Sequence, residues 1–359
     1  MCNISFTCSK YGTNGGVAMT HRSIHHVVVG LSAVLALSMT ACAAQPAPAG
    51  SGDAEAKKFV TVVKLQGISW FDRMQIGLDE QAKAIGATST MVGPDDASPE
   101  KQVKIIQDLI AQKPAAIAVV PLSPQALEGV LGQARAAGIK VITHEAPSQG
   151  NTDLDIEAFD NVDYGEHLME TLADCMGGEG QYVTMVGSLT AESHMKWAQA
   201  ELDLATSKYP GITRVADPIE TKEDLTQTYE KTKEILAKYP QIKGFLGSAA
   251  SDVAGIGRAI SEAGLQDQTC VAGTSIPSTA GKYLKDGSVD AITFWDPKVT
   301  GAVLVTLQDK LSRGEKVGVG TDLGIPGYEN LQATDGKENV LHGNAWVDVT
   351  VENMAEYDF

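Results

Sequence analysis

The chain has 359 residues, of which 43% are hydrophobic and 20% charged, and its net charge is -17. This composition is typical of packed globular proteins and too apolar for a disordered chain, and at about 150 residues per domain the length favours two domains. The acidic excess would repel phosphate backbones and anionic lipid surfaces, so nucleic acid is not an expected partner.

The segment before Cys42 has the order of features of an export signal. His21 and Arg22 precede an apolar run over residues 27–37, and small residues follow up to Cys42. The run is too short to cross about 30 Å of hydrocarbon, which needs about 20 residues, so a transmembrane anchor is the less favoured alternative. The small residues resemble the cleavage site of bacterial lipoproteins, in which the cysteine becomes lipid-modified.

We therefore expect residues 1–42 to be a signal peptide, with Cys42 as a lipid anchor to the membrane. Residues 1–18 add nothing that such a signal requires, which predicts that translation begins at Met19. Residues 43–57 are rich in Ala, Pro, Gly and Ser and predict a flexible tether.

Only two cysteines, Cys175 and Cys270, lie in the predicted folded body. An oxidising compartment would permit a disulfide between them, but two separate buried thiols are equally ordinary. Both alternatives are open at this stage.

From residue 59 onward, short apolar runs alternate with amphipathic segments, the pattern of βαβ units on a parallel sheet. Ser98-Pro99 and Ser123-Pro124 each predict a helix start, with the serine as N-cap and the proline in the first turn. The predicted strands of this first series cover residues 59–65, 88–92, 115–121 and 139–143. They predict one doubly wound lobe.

The polar stretch 146–155 breaks this pattern and predicts a crossing to a second lobe. A second series of strands and helices follows, and a returning unit is expected to pack on the first lobe. We predict an α/β fold of two doubly wound parallel-sheet lobes joined by a three-segment hinge. The expected boundaries are 58–148 plus 277–316 for the first lobe and 152–274 plus 317–359 for the second, with the other crossings near 273–277 and 317–326.

Common catalytic signatures are missing from the sequence. It has no phosphate-binding loop ending in Lys-Ser/Thr, no GxSxG elbow and no CxxC pair, and the zinc-protease-like start His144-Glu145 is followed by Ser148 where a histidine would be needed. A hydrolase with paired carboxylates is a less favoured alternative. We expect no enzyme activity, no cofactor and no metal.

Polar and aromatic residues follow several predicted strands. In open α/β sheets ligands bind beyond the carboxyl ends of the strands, and two facing lobes would aim these ends at one cleft. The residues placed there are Lys64, His144, Glu145, Ser248, Trp295 and Asp296, with Trp70 and Phe71 just after the first strand. Charged groups with an aromatic face suit a polyhydroxylated ligand. Each also has a structural interpretation, as a solvated lysine, a paired carboxylate, a core tryptophan or a buried histidine.

Several segments resemble autoinducer-2-binding proteins and their rhamnose-binding relatives, which are type I periplasmic binding proteins. These segments are Val63-Lys64-Leu65, Gly93-Pro94, Leu122-Ser123-Pro124, Phe294-Trp295-Asp296 and the C-terminal residues 353–359. The resemblance covers residues 58–359. It implies two lobes with three crossings, closure on a ligand, and delivery to a membrane permease.

The resemblance also implies ligand contacts. The family's lysine after the first strand corresponds to Lys64, and its aspartate after the fourth strand to Glu145. An Asp-Gln pair before a tryptophan corresponds to Ser193 and His194, and a Pro-x-Ala turn to Ser248 and Ala250. Because the Asp-Gln carboxylate and amide are replaced, a pentose, deoxyhexose or polyol is at least as good a candidate as autoinducer-2.

We therefore expect a monomeric, lipid-anchored receptor outside the cytoplasm that delivers a small neutral sugar or polyol to an ABC permease. A receptor that serves a sensor or chemotaxis system is the alternative, and a glycoside hydrolase is less favoured.

Overall fold

The computed structural model describes residues 56–334 and 336–359. The expected signal peptide, the lipid-anchoring Cys42 and residues 43–55 of the tether lie outside the described residues. Lys57, in the last position of the expected tether, is already bonded to the folded body, because its Nζ lies 3.1 Å from Asp309 Oδ1.

Strands and helices alternate along most of the chain. The strands are β1 (Lys58–Val62), β2 (Thr88–Val92), β3 (Ala116–Val119), β4 (Lys140–His144), β5 (Leu154–Glu157), β6 (Glu179–Val186), β7 (Gly211–Arg214), β8 (Ile219–Glu220), β9 (Ile242–Gly247), β10 (Cys270–Gly273), β11 (Ile292–Trp295), β12 (Gln332–Ala333), β13 (Val340–His342) and β14 (Trp346–Val349). The helices are α1 (Ser69–Ala84), α2 (Pro99–Gln112), α3 (Pro124–Ala136), α4 (Asn161–Met176), α5 (Glu192–Lys208), α6 (Leu225–Lys238), α7 (Ala250–Ala263), α8 (Pro277–Lys285) and α9 (Pro297–Ser312).

The first lobe is built on a seven-stranded sheet in the order β12-β13-β5-β4-β3-β1-β2. All its pairings are parallel except that of β12 with β13. Its central strands are buried on both faces, as expected for a sheet covered by helices on both sides. The predicted serine N-caps are present: Ser98 and Ser123 accept hydrogen bonds from Lys101 N and Ala126 N at the starts of α2 and α3.

The second lobe is built on a parallel sheet in the order β10-β9-β6-β7, with β8 also paired to β6. Strand β11 lies beside β10 through a bridge between Thr274 and Thr293, and it pairs antiparallel with β14. The Sγ atoms of Cys175 in α4 and Cys270 in β10 form a disulfide within this lobe. The sequence left open whether these two cysteines are bonded or are separate thiols, and the structure shows the disulfide.

The chain passes between the two sheets three times, at residues 158–160, at Asp296 and at residues 343–345. The expected α/β fold with two parallel-sheet lobes is confirmed. Helix α9 returns to the first lobe and packs closely on α1, where a Cβ atom on Gly77 would collide with the carbonyl of Lys298. Among the described residues, no helix has the length and apolar composition needed to span a membrane.

The lobe boundaries differ from those expected. Strand β5 was assigned to the second lobe with residues 152–274, but it pairs with β4 in the first sheet, and β12 and β13 from residues 317–359 join the same sheet. Conversely, α8 and β11 from residues 277–316 pack in the second lobe, on α7 and β10. The stretch 146–155 predicts a crossing because it is rich in Pro, Ser, Gly, Asn and Asp, but it leads into β5 of the same sheet, and the first crossing follows β5 at residues 158–160.

Candidate ligand-binding site

A small cavity lies between the lobes, beyond the carboxyl ends of β1, β4, β9, β10 and β11. Its walls are Lys64, Ile68, Trp70, Phe71 and Glu145 from the first lobe, His194, Glu223, Ser248, Ala249, Ala250 and Thr274 from the second, and Trp295 before the second crossing. The space left for the centre of a water-sized sphere is about 20 Å³. The lobes are therefore closed on each other around a polar centre.

An ion pair between Lys64 and Glu145 occupies that centre, with 2.6 Å between Nζ and Oε2. Burial lowers the pKa of Lys64, but Glu145 and Glu223 raise it by more, so the ammonium stays charged. Burial likewise raises the pKa of Glu145, and the charge and hydrogen bond of Lys64 bring it below its usual value. Both groups thus remain ionised in a dry environment, which requires that they stay paired.

The backbone holds Glu145 in an unusual conformation, with φ of 61°. Left-handed backbone costs a non-glycine residue about 1–3 kcal/mol and is concentrated at functional sites. The turn directs the carboxylate back toward Lys64, so the strain and the ion pair occur at the same residue.

His144 and Ser193 lie behind this carboxylate rather than on the cavity wall. His144 Nδ1 is 2.5 Å from the carbonyl of Ile156 and donates to it, and its buried Nε2 has no hydrogen-bond partner in the described residues. Ser193 Oγ lies 3.4 Å from Glu145 Oε2 and donates to it. Ser193 therefore helps to position Glu145, and neither of these two predicted ligand residues lines the cavity.

His194, at the start of α5, lines the cavity from the second lobe. Its Nδ1 accepts a hydrogen bond from Gly187 N, so the neutral ring carries its proton on Nε2. Burial, and then the charge of Lys64, lower the pKa of His194 to about 3. The histidine is therefore a neutral donor.

Ser248 and Ala250 flank the turn from β9 into α7, where Asp252 accepts from Ala249 N at 2.9 Å. Ser248 Oγ is buried and has no hydrogen-bond partner within the described part of the chain. It is thus available to a molecule in the cavity.

An aromatic wall closes one side of the cavity. The rings of Trp70 and Trp295 meet edge to face with 4.7 Å between centroids, and Phe71 lies beside them on α1. The indole Nε1 of Trp295 is buried and finds no acceptor in residues 56–334 or 336–359. The wall therefore combines apolar faces with one free donor.

The structure does not bring Asp296 into this cavity. Both its carboxylate oxygens accept from Arg73, at 2.6 and 2.7 Å, and Oδ1 also caps α9 by accepting from Lys298 N. The predicted site residues that do line the cavity are Lys64, Trp70, Phe71, Glu145, His194, Ser248, Ala250 and Trp295.

Glu223 lines the cavity but was absent from the sequence-based prediction. It lies in the loop between β8 and α6, where Lys222 and Glu223 both have left-handed backbone, with φ of 58° and 57°. Its Oε1 lies 3.8 Å from Lys64 Nζ and is without a hydrogen-bond partner in the described chain. The sequence signal for Glu223 was its position after a strand, and that signal was weak because β8 is just two residues long.

Residues 59–316 match the model of the periplasmic binding protein domain family. This chain belongs to that family. Membership places this periplasmic binding protein outside the cytoplasm and confirms the expected family resemblance.

Curated relatives of this binding protein carry names of sugar and polyol receptors. It is 23% identical over 294 residues to the ribose import binding protein RbsB of Bacillus subtilis, covering 80% of this chain and 94% of the relative. It is 28% identical over 245 residues to the xylitol-binding protein of Mycolicibacterium smegmatis, covering 66% of each chain.

Solved structures share the fold. LsrB from Clostridium saccharobutylicum in complex with AI-2 aligns with a TM-score of 0.78 and 21% identity over 84% of this binding protein and 100% of that chain. A solute-binding protein from Clostridium phytofermentas with bound L-rhamnose aligns with a TM-score of 0.77 and 19% identity over 84% and 98%.

Proposed function

We propose that this protein captures a small neutral sugar or polyol in the cavity between its lobes and delivers it to an ABC permease. The observation that carries the proposal is a set of buried polar atoms that have no hydrogen-bond partner among the described residues and belong to side chains lining one enclosed space. Glu223 Oε1, Ser248 Oγ and Trp295 Nε1 supply acceptors and a donor, and each of these residues lines the cavity. Buried polar groups are nearly always hydrogen-bonded, so such a cluster indicates an absent partner.

A polyhydroxylated ligand has the complementary chemistry. Its hydroxyls both donate and accept, so they can satisfy the Glu223, Ser248 and Trp295 atoms together, while Trp70 and Phe71 cover its apolar face. The relatives named for ribose and xylitol support this class of ligand. Autoinducer-2 is retained as a candidate of the same kind.

Calorimetry with a defined panel tests the proposal. D-Ribose, xylitol, L-rhamnose, D-arabinose and autoinducer-2 are titrated into the wild-type protein, and mass spectrometry identifies any small molecule that co-purifies. We expect one panel member to bind with micromolar or tighter affinity. Failure of all five to bind, together with a co-purifying ligand that is neither sugar nor polyol, would contradict the proposal.

We further propose that residues 1–42 direct export and that Cys42 is lipid-modified. The support is the basic pair His21-Arg22, the short apolar run and the small residues before Cys42. Metabolic labelling with a palmitate analogue should tag the wild-type protein and not the Cys42→Ala variant. Equal labelling of both proteins would remove the lipid anchor from the proposal.

A further inference from the structure

The cavity contains more carboxylate than its single cation can neutralise. Lys64 is engaged with Glu145 at 2.6 Å, whereas its distance to Glu223 is 3.8 Å, beyond a hydrogen bond. His194 adds no charge, because its Nδ1 accepts from Gly187 N as a neutral ring does. An ionised Glu223 would therefore have to share one lysine with Glu145, at 3.8 Å and without a hydrogen bond, in an enclosed site, which is unfavourable.

The surroundings of Glu223 offer little further compensation. Asp252, on α7, already accepts from Thr221, Thr228 and Ala249, and its charge opposes ionisation of Glu223. Gly187 lies so close that a Cβ atom there would collide with the Glu223 carboxylate. The Glu223 side chain is thus held against Gly187, at the boundary between the cavity and the groove that opens beside it.

The mouth of the cleft beside Glu223 is also acidic. A groove of about 360 Å³ lies there, with Asp95 and Asp96 on the first lobe facing Glu220 and Asp224 on the second. Lys101 is bound to Asp95 and Asp96 at 2.6 and 2.8 Å, and Lys222 lies on the same loop as Glu223. Acidic groups predominate, so the groove does not compensate a further negative charge at Glu223.

We propose that Glu223 binds the ligand as a neutral carboxylic acid that donates its O–H to a ligand oxygen, so that capture of the ligand takes up one proton. This proposal rests on the neutral sugar or polyol function above. The proton comes from solvent and is held on the Glu223 carboxyl, and no covalent bond to the ligand forms. Burial raises the pKa of Glu223 to about 7, which agrees with the geometry.

The pH dependence follows from proton uptake. An exposed glutamate in the open protein has a pKa of about 4.3. Because closure of the lobes raises the pKa of Glu223 to about 7, the closed form binds more protons than the open protein between these values. Affinity therefore falls as pH rises, by up to about tenfold per pH unit.

The test is calorimetry of D-ribose, xylitol, L-rhamnose and D-arabinose from pH 5.0 to 8.0, repeated for the tightest binder in phosphate and Tris buffers to count protons. We expect at least a tenfold loss of affinity across this range in the wild type and proton uptake in both buffers. Glu223→Gln, which keeps a donor but cannot ionise, should bind with less than threefold variation. Glu220→Gln, at the end of β8 just before the loop that carries Glu223, should keep the wild-type pH dependence. Glu223→Ala, which loses the donor, should weaken binding at pH 5.0.

The possible results separate the proton proposal from the proposed function. A pH-independent wild type, or a Glu223→Gln variant that keeps the wild-type slope, overturns the proton proposal and leaves the proposed function intact. A different result would be that D-glucosamine binds more tightly as the pH rises while the neutral sugars do not bind. That result would show that Glu223 is ionised and paired with an amine, and it would overturn both the proton proposal and the proposed function. Failure of these four probes and of autoinducer-2 to bind, together with a co-purifying ligand that is neither sugar nor polyol, removes the proposed function and the proton proposal with it.

Discussion

Lys64 and Glu223 face each other across the cleft, with 3.8 Å between Nζ and Oε1. Lys64 follows β1 in the first lobe, and Glu223 precedes α6 in the second, so the contact exists only when the lobes are together. The space between them is about 20 Å³ for the centre of a water-sized sphere, which is too small for a sugar. Ligand entry therefore requires the lobes to separate about the three crossings.

We predict that ligand binding makes the protein more compact in solution. Three short crossings allow hinge bending, and a ligand that contacts both lobes favours the closed form. X-ray scattering should give a smaller radius of gyration when the tightest panel sugar is added at saturation. The Lys64→Ala variant at the same sugar concentration, below its own saturation, should contract less. An unchanged wild-type radius at saturation would argue for a rigid site.

Truncation of either member of the central ion pair should weaken binding. Removing the Lys64 ammonium or the Glu145 carboxylate leaves the other charge buried and unpaired and removes partners from ligand hydroxyls. We expect a loss of about 1.5–3 kcal/mol for Lys64→Ala or Glu145→Ala, or about ten- to hundredfold in Kd by calorimetry. Lys101→Ala, which breaks only the surface ion pairs with Asp95 and Asp96, is the control.

The position of Trp295 predicts two separable contributions to binding. Trp295→Phe keeps an aromatic face but loses the unpartnered Nε1 donor, whereas Trp295→Ala loses both. We expect the alanine variant to bind more weakly than the phenylalanine variant, and both more weakly than wild type. If a tight ligand is found and neither Trp295→Ala nor the Lys64 and Glu145 variants lose more than threefold in affinity, the site lies elsewhere.

Part of this site could be predicted from sequence because it follows the strand-end rule. Lys64, Glu145 and Trp295 come directly after or at the end of apolar runs that are long enough to recognise as strands. Glu223 follows β8, whose two residues carry no periodicity, and its left-handed backbone has no glycine to indicate it. Short strands and non-glycine strain leave no trace in a single sequence.

The lobe boundaries were missed for a related reason. Strand β5 places Asp155 and Glu157 in the interior, where acidic residues are rare unless they are paired. Thr143 on the neighbouring strand β4 donates to Asp155, and Asn161, four residues further along the chain, donates to Glu157. The sequence pattern does not show that these contacts accommodate the two carboxyls. The alternation of apolar runs with amphipathic segments was enough to identify most strands and helices. Which sheet a strand joins depends on such tertiary contacts.

The disulfide between Cys175 and Cys270 should stabilise the second lobe without affecting the ligand. It links residues 95 apart in sequence and lies between α4 and β10. The Cys175→Ala, Cys270→Ala double variant should lose about 2–5 kcal/mol of unfolding free energy. Denaturant unfolding of the wild type in the presence of reductant should show the same loss of unfolding free energy. The Kd of the folded double variant for the ligand should stay within threefold of the wild-type value. Equal stability with and without the bridge would contradict this prediction.

The buried carboxyl of Glu157 should make stability depend on pH. Burial, together with the neighbouring Asp155, raises the pKa of Glu157 well above its ordinary value, although Asn161 Nδ2 donates to Oε2 at 3.2 Å. The folded protein therefore binds more protons at this site than the unfolded chain once the pH exceeds about 4.3, the usual glutamate pKa. Stability from this group is complete at lower pH and is lost as pH rises toward the folded-state pKa.

Glu157→Gln removes this dependence while keeping the shape of the side chain. The unfolding free energy of the variant minus that of the wild type should increase from pH 4 to pH 8, by up to about 1.4 kcal/mol per pH unit within the titration window. Glu338→Gln, at an exposed position, should give a difference that does not change with pH. Urea unfolding at closely spaced pH values measures both curves. Parallel curves for Glu157→Gln and wild type would mean that Glu157 is ionised in the folded protein, and that the carboxyls of β5 are stabilised by something other than a retained proton.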